Sequence, residues 1–275
     1  MLRIVHLTDT HVTAPRHRLF GLHTPTLLRR ALAEVKGRGP GFCDALVITG
    51  DLTDRGEREA YEELARCLAE IALPVFLAIG NHDDRENFRA VFGGEPRYAT
   101  GEFVQYAIDD FDPYRLIVLD TNRPGAARGL LCETRLAWLD ETLAARPGAP
   151  TLVFLHHVPF TTHIRGLDAI GLDGADGLCE VLARHPRVLG LYAGHVHRTM
   201  HGRLGGLPVV ATSSTCHQTA LDFEAPDLVV AYEPPKFGVI VADGDAVVCH
   251  TAYFTESRGP RFSYPAMRRQ SYDPA

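Results

Sequence analysis

No apolar run in the chain approaches the ~18 residues that a membrane-spanning helix requires; the longest are short segments such as Leu152 to Leu155. A membrane span is therefore excluded and a soluble protein is expected. Cysteine is sparse and unpaired. Cys43, Cys67, Cys132, Cys179, Cys216 and Cys249 include no CxxC pair, so neither a zinc-finger spacing nor a disulfide framework fits them, and reduced thiols point to the cytoplasm. The opening MLRIVHLTDTH lacks the basic start, long apolar stretch and cleavage site of an export signal. Positive charge is also short: 28 Lys and Arg stand against 34 Asp and Glu, a formal charge of -6, which offers no net attraction to a polyanion outside a local patch and disfavours a nucleic-acid duplex as partner. Neither an electropositive track nor an aromatic stacking pattern for single strands is visible. Internal repeats and low-complexity tracts are lacking too.

What is present is a chain of 275 residues, 45% hydrophobic, long enough to bury a sizeable core as one main domain. Short β-rich runs alternate with amphipathic stretches, the pattern of an α/β fold. Strands are predicted at Leu2 to Leu7, Ala45 to Thr49, Val75 to Ile79, Phe103 to Ile108, Arg115 to Leu119, Thr151 to Leu155, Val188 to Tyr192 and Pro208 to Ala211. Thr24 is the candidate cap of a helix with Pro25 as its first residue, and Glu57 to Ala69 and Glu133 to Ala145 share its i, i+3, i+4 apolar spacing. From about Asp222 proline-punctuated apolar runs suggest an appended β element, giving a boundary between 1–221 and 222–275. The stretch after about Thr255 has prolines and aromatics without helical period, as expected of a docked or mobile end.

Five short blocks stand at the ends of predicted strands: Asp9-Thr10-His11, Gly50-Asp51, Gly80-Asn81-His82-Asp83, His156-His157 and Gly194-His195-Val196-His197. Side chains at the carboxyl ends of strands face the crevice where α/β proteins bind ligands. In an extended segment Asp9 and His11 share a face, as do His195 and His197, so each pair could chelate. Three of the candidates, Asp51, Asn81 and His195, follow a glycine, which permits close backbone approach. Singly, each block has a bland alternative as a turn, cap or core histidine. Jointly, five such blocks at strand exits point to a metal centre of mixed N and O donors, suited to Mn, Fe, Zn or Co and without thiolate. Two cations roughly 3.5 to 4 Å apart would lower the pKa of a shared water from ~15.7 to near ~7 and so make hydroxide at neutral pH.

The ordered set DTH, GD, GNHD, HH and GHVH, spanning residues 9 to 197, resembles the calcineurin-like metallophosphoesterase superfamily. The resemblance implies a four-layer α/β/β/α sandwich with two metal ions per chain. It implies that Asp9, His11 and His197 hold one metal and Asn81, His156 and His195 the other, with Asp51 bridging and His82 acting on substrate as a catalytic group. The opening LTDTH, the GNHDD run, the segment from Ala211 to Gln218 and the β-rich tail are similar to the bacterial glycerophosphodiesterase and class III cyclic-nucleotide phosphodiesterase branch. That similarity implies a small phosphodiester substrate cleaved by attack of a metal-bound hydroxide, and a C-terminal element serving as cap and homo-oligomer interface. His217 is a candidate for lining the substrate pocket. The alternatives are a phosphomonoesterase or phosphoprotein phosphatase on the same centre, and a non-enzymatic scaffold, against which the full set of seven ligands and His82 argues. Arg123, Arg128 and Arg165 lie in nearby loops and are left outside the site.

Overall fold

The computed structural model describes residues 1–99 and 101–254. The chain enters on β1 (Leu2–Leu7) and passes through α1 (Thr24–Gly37), β2 (Ala45–Thr49), α2 (Arg58–Leu68) and β3 (Val75–Ala78). Two helices, α3 (Arg85–Phe92) and α4 (Pro96–Ala99), lead to β4 (Tyr106–Phe111), β5 (Tyr114–Val118) and β6 (Gly129–Leu130). There follow α5 (Glu133–Ala144), β7 (Thr151–Phe154), α6 (Arg165–Asp168), β8 (Leu172–Asp173), α7 (Ala175–Ala183) and β9 (Val188–Ala193). The rest is β: β10 (Met200–Leu204), β11 (Leu207–Ala211), β12 (Gln218–Thr219), β13 (Val230–Ala231), β14 (Lys236–Asp243) and β15 (Ala246–Tyr253).

The apolar runs of β1, β2 and β7 carry little alternation because both faces of these strands are covered. Two main sheets result, in the orders β15-β14-β1-β2-β3 and β10-β11-β9-β7-β5-β4. Phe154 and Tyr192 from the second sheet share one core with Ile4, Leu46 and Phe237 from the first, so the sheets face each other. Helix α1 buries Leu28, Ala31, Leu32 and Val35 at helical spacing, and α2 buries Leu64, both against the first sheet. Leu139 of α5 and Leu178 of α7 pack with Val153 and Leu191 on the far side of the second sheet. The order is helix, sheet, sheet, helix, as expected.

Most predicted strands stand within a residue of their positions, and the exceptions have local causes. Predicted strand Phe103 to Ile108 starts only at Tyr106, because the Val104 N–H donates to the Asp120 carboxylate at 2.9 Å instead of joining a ladder. Thr24 is the first helical residue and not the cap; its hydroxyl accepts from the Thr13 N–H at 3.1 Å, and His23 takes the cap position. Strand β10, with its polar His201 and Arg203, escaped the apolar pattern because it is an edge strand held only by β11. Within the segment from 222 onward, β14 runs antiparallel to β1, with Leu2 opposite Ala242 and His6 opposite Gly238, and β15 completes that sheet. The hairpin β12–β13 stands outside both main sheets. The tail after about Thr255 lies outside the described residues. Among the described residues no helix is long and apolar enough to cross a membrane.

Candidate metal centre

Parallel pairing of β1, β2 and β3, and of β5, β7, β9 and β11, sends the exits of these strands to a common edge. There the candidate side chains meet. Asp9, His11, Asp51 and His197 bring one ligating atom each within 4.8 Å of one another, and all four are buried. The His11 and His197 Nε2 atoms are 3.0 Å apart, and His197 Nε2 is 3.3 Å from Asp9 Oδ1. Next to this group, His156 Nε2 lies 3.1 Å from the Asn81 amide oxygen and 3.3 Å from Asp51 Oδ1. The other Asp51 oxygen lies 3.5 Å from His11 Nε2, so a single carboxylate faces both groups. His195 completes the second group, its ring 5.0 Å from that of His156.

The expectation that Asp9 with His11, and His195 with His197, converge through strand alternation is corrected by the backbone. β1 ends at Leu7 and β9 at Ala193, before the pairs begin. Asp9, His11, Asp51, His195 and His197 all have positive φ, between 41° and 68°. Left-handed creases, not pleats, aim these side chains, and such backbone in non-glycine residues is strain that clusters at functional sites. The preceding glycines do what their position suggests. A Cβ at Gly194 would sit 1.8 Å from Thr8 Oγ1, and one at Gly80 would sit 2.2 Å from Asp51 Oδ1 and 2.7 Å from His156 Nε2.

Each histidine is oriented through its far nitrogen. His156 Nδ1 donates to the Thr49 carbonyl at 2.7 Å, His197 Nδ1 to the His217 carbonyl at 2.9 Å, and His195 Nε2 to the Ile170 carbonyl at 2.8 Å. A carbonyl only accepts, so the proton is fixed on that nitrogen and, in the neutral ring, the lone pair sits on the opposite one, as in metal-ligating histidines. His11 is the exception, its Nδ1 having no hydrogen-bond partner and lying 3.4 Å from the Asp54 carboxylate, at ion-pair distance. His157 differs. Its Nδ1 accepts from Thr121 at 2.8 Å and its Nε2 donates to Ala127 at 3.1 Å, so both nitrogens are spent and it reads as structural, although it lies within reach of His156 and His195.

The electrostatics follow from burial of two carboxylates among imidazoles. Burial opposes ionisation of Asp9, but the adjacent His197 outweighs it and holds the carboxyl below its usual range. Burial likewise opposes Asp51, and His156 and His11 hold it well below that range. Burial penalises charge on His156, yet Asp51 lifts its pKa to about 9; burial, with His156 nearby, pushes His195 down to about 4. Asp9 in turn raises the pKa of His197 against its burial, so the carboxylates and imidazoles stabilise each other's charge, a role that cations would fill as well.

His82 sits at the exposed rim, with its N–H donating to Asp51 at 2.9 Å and its Nδ1 donating to the Asp54 carbonyl at 2.7 Å. His217 is buried beside the centre, its ring 4.3 Å from His197 and 5.4 Å from His11. Three further residues support the site. Asp83 accepts from the N–H groups of Leu52, Thr53 and Gly80 and from the Tyr61 hydroxyl, stitching the Asp51 and Asn81 loops together, and burial and then Asp51 raise it to about 6. Asn122 donates to the Gly80 and Asp83 carbonyls, and Asp120 is held bidentately by Arg85 at 2.8 Å. Asp120-Thr121-Asn122 follows β5, so the strand-exit rule could have found it as a sixth block. Arg128, left outside the site, donates to Asp173 at 2.6 Å and serves that loop.

Residues 2–199 match the calcineurin-like phosphoesterase family. The chain is 38% identical over 266 residues to a probable cyclic nucleotide phosphodiesterase of Rhodopseudomonas palustris, covering 95% of this chain and 96% of that one. It is 29% identical over 262 residues to a probable glycerophosphodiester phosphodiesterase of Arcobacter nitrofigilis, covering 94% and 95%. Its fold superposes on that of a dimetal phosphatase from Danio rerio with a TM-score of 0.68 at 15% identity, over 93% of this chain and 97% of the other.

Proposed function

The chain belongs to the calcineurin-like phosphoesterase family, and from that membership we propose that it is a metal-dependent phosphoric diester hydrolase acting on small phosphodiesters such as cyclic nucleotides or glycerophosphodiesters. The observation that carries the reading is the Asp51 carboxylate, 3.5 Å from His11 on one side and 3.3 Å from His156 on the other. The donor set fits a pair of cations: buried carboxylates, an amide oxygen, and imidazoles whose free lone pairs face inward. Asp9, His11 and His197 would hold one ion, Asn81, His156 and His195 the other, and Asp51 both. Mixed N and O donors suit Mn, Fe, Zn or Co. When bound, two such ions supply Lewis acidity toward the phosphate and bring the pKa of water near neutrality.

The chain's own residues do the rest. His82, oriented by the Asp54 carbonyl, keeps Nε2 for substrate; as an imidazolium, with a proton on each nitrogen, it would steady developing charge or give the Nε2 proton to the departing alkoxide. His217 walls the pocket beside the first group. The exposed apolar side chains Phe223, Leu228, Val229 and Val230 support a cap or homo-oligomer interface for the element from residue 222 onward, and the free cysteines support a cytoplasmic location. Elemental analysis of active protein, with rates on diesters, monoesters and a phosphopeptide before and after chelation, tests the proposal. Two ions per chain, diester preference and loss of turnover on chelation are expected; full activity with one ion or none, or preference for monoesters or phosphopeptide, overturns it.

A further inference from the structure

The turn from Leu19 to Leu22 is closed by two backbone hydrogen bonds, Leu19 N–H to Leu22 O at 3.0 Å and Leu22 N–H to Leu19 O at 2.8 Å. Its two central residues, Phe20 and Gly21, have φ of 48° and 80°. A two-residue turn with both central φ positive is of the kind that favours Asn-Gly. Glycine at the second position is expected; a bulky aromatic at the first is a poor choice for the backbone. The ring is nevertheless not used to fill a core, since Phe20 is 53% exposed. It stands edge-to-face with His217 at 5.0 Å between centroids, and His217 in turn lies against His197 and His11. The turn is tied to the segment just after β13 by the Tyr232 hydroxyl, which donates to the Phe20 carbonyl at 2.8 Å. A strained turn, anchored at a distance, thus presents a half-exposed aromatic ring one imidazole away from the candidate ligands.

We propose that Phe20 is a specificity-determining residue that stacks on a planar ring carried by one alcohol arm of the substrate, so that nucleobase-bearing phosphodiesters are selected over purely aliphatic ones. The inference rests on the phosphodiesterase reading and deepens it. Every base has a π-face, and stacking on an aromatic side chain tolerates base identity, so selection is for a planar arm in general and not for one base. Sequence alone gave no sign of this platform, because Phe20 is a single aromatic in a loop.

Phe20→Asn tests it, because Asn-Gly suits the turn and the variant should fold at least as well as the parent. kcat/KM would be measured for adenosine 3′,5′-cyclic monophosphate and for glycerophosphoethanolamine, with calorimetric binding of adenosine monophosphate and glycerol 3-phosphate. The expected result is a Tm equal to or above that of the parent, a fall of about tenfold in the cyclic-nucleotide to glycerophosphodiester ratio, carried by KM, and recovery in Phe20→Trp. Proportional loss on both diesters overturns the role of Phe20, as does a parent that binds adenosine monophosphate no more tightly than glycerol 3-phosphate. So does a variant that falls from oligomer to monomer with its ratio kept, which would make the ring a subunit contact. A parent active on neither diester instead defeats the phosphodiesterase reading, and the binding comparison still judges Phe20.

Discussion

At the scale of single residues the centre depends on one carboxylate more than on any other group. Asp51 faces His11 and His156 and accepts the His82 N–H, so it organises two ligand groups and the rim histidine together. Replacing it with asparagine removes the charge while keeping the hydrogen-bond acceptor. Asp51→Asn is expected to lower metal retention and kcat/KM by about 100-fold or more, since even outer partners of metal ligands are worth about 10- to 100-fold. In the metal-free form the fold should survive, because a buried charge is removed at the same time. A variant that keeps two ions and parental turnover would show that Asp51 does not bridge. The residue types were readable in the sequence because a metal site needs particular donors. Asp54, and the orienting role of Asp83 within its block, were not, because an orienting carboxylate has no signature apart from what it touches.

At the scale of elements the decisive unit is the crease that follows a strand. Gly194 lets the chain pass against Thr8 and Asp9 before turning to present His195 and His197. An alanine there would place its Cβ 1.8 Å from Thr8 Oγ1 and 2.8 Å from Thr8 Cβ, so Thr8 or the crease itself must shift. Gly194→Ala should cost about 1–3 kcal/mol of stability, the usual penalty of overpacking, and should lower metal content, whereas Gly206→Ala, in open space in the β10–β11 turn, serves as a strain-only control. Equal metal content in the two variants would disprove the tight approach at Gly194. Strand positions were readable from apolar runs such as ALVIT and TLVF. The creases were not, because alternation in a strand and left-handed backbone beyond it both predict that Asp9 and His11 point the same way.

At the scale of the whole molecule the late strands matter most. β14 pairs along β1, the strand whose exit carries Asp9 and His11, and β1 would otherwise be an edge. A chain ending at residue 232 would leave β1 unpaired on one side from Leu2 to His6 and strip Phe237 and Ile240 from the core. Such a truncation is expected to be insoluble or to lose cooperative unfolding by circular dichroism; a soluble, metal-loaded truncated protein would show that residues up to 232 form an independent domain. The sequence offered apolar runs and proline punctuation after residue 222, but nothing local tells whether such a strand starts a new layer or returns to an old one. Pairing between residues over 200 positions apart is decided by shape and not by nearby spacing.

The creased backbone at Asp9, His11, Asp51, His195 and His197 bears on transplantation. Someone copying this centre into another scaffold by matching side chains on regular strands would reproduce the list of donors without the left-handed bends that aim them. The portable unit is the bend with its glycine, and the donor is only its cargo. An enzyme engineer would therefore graft turns first and choose the metal afterwards.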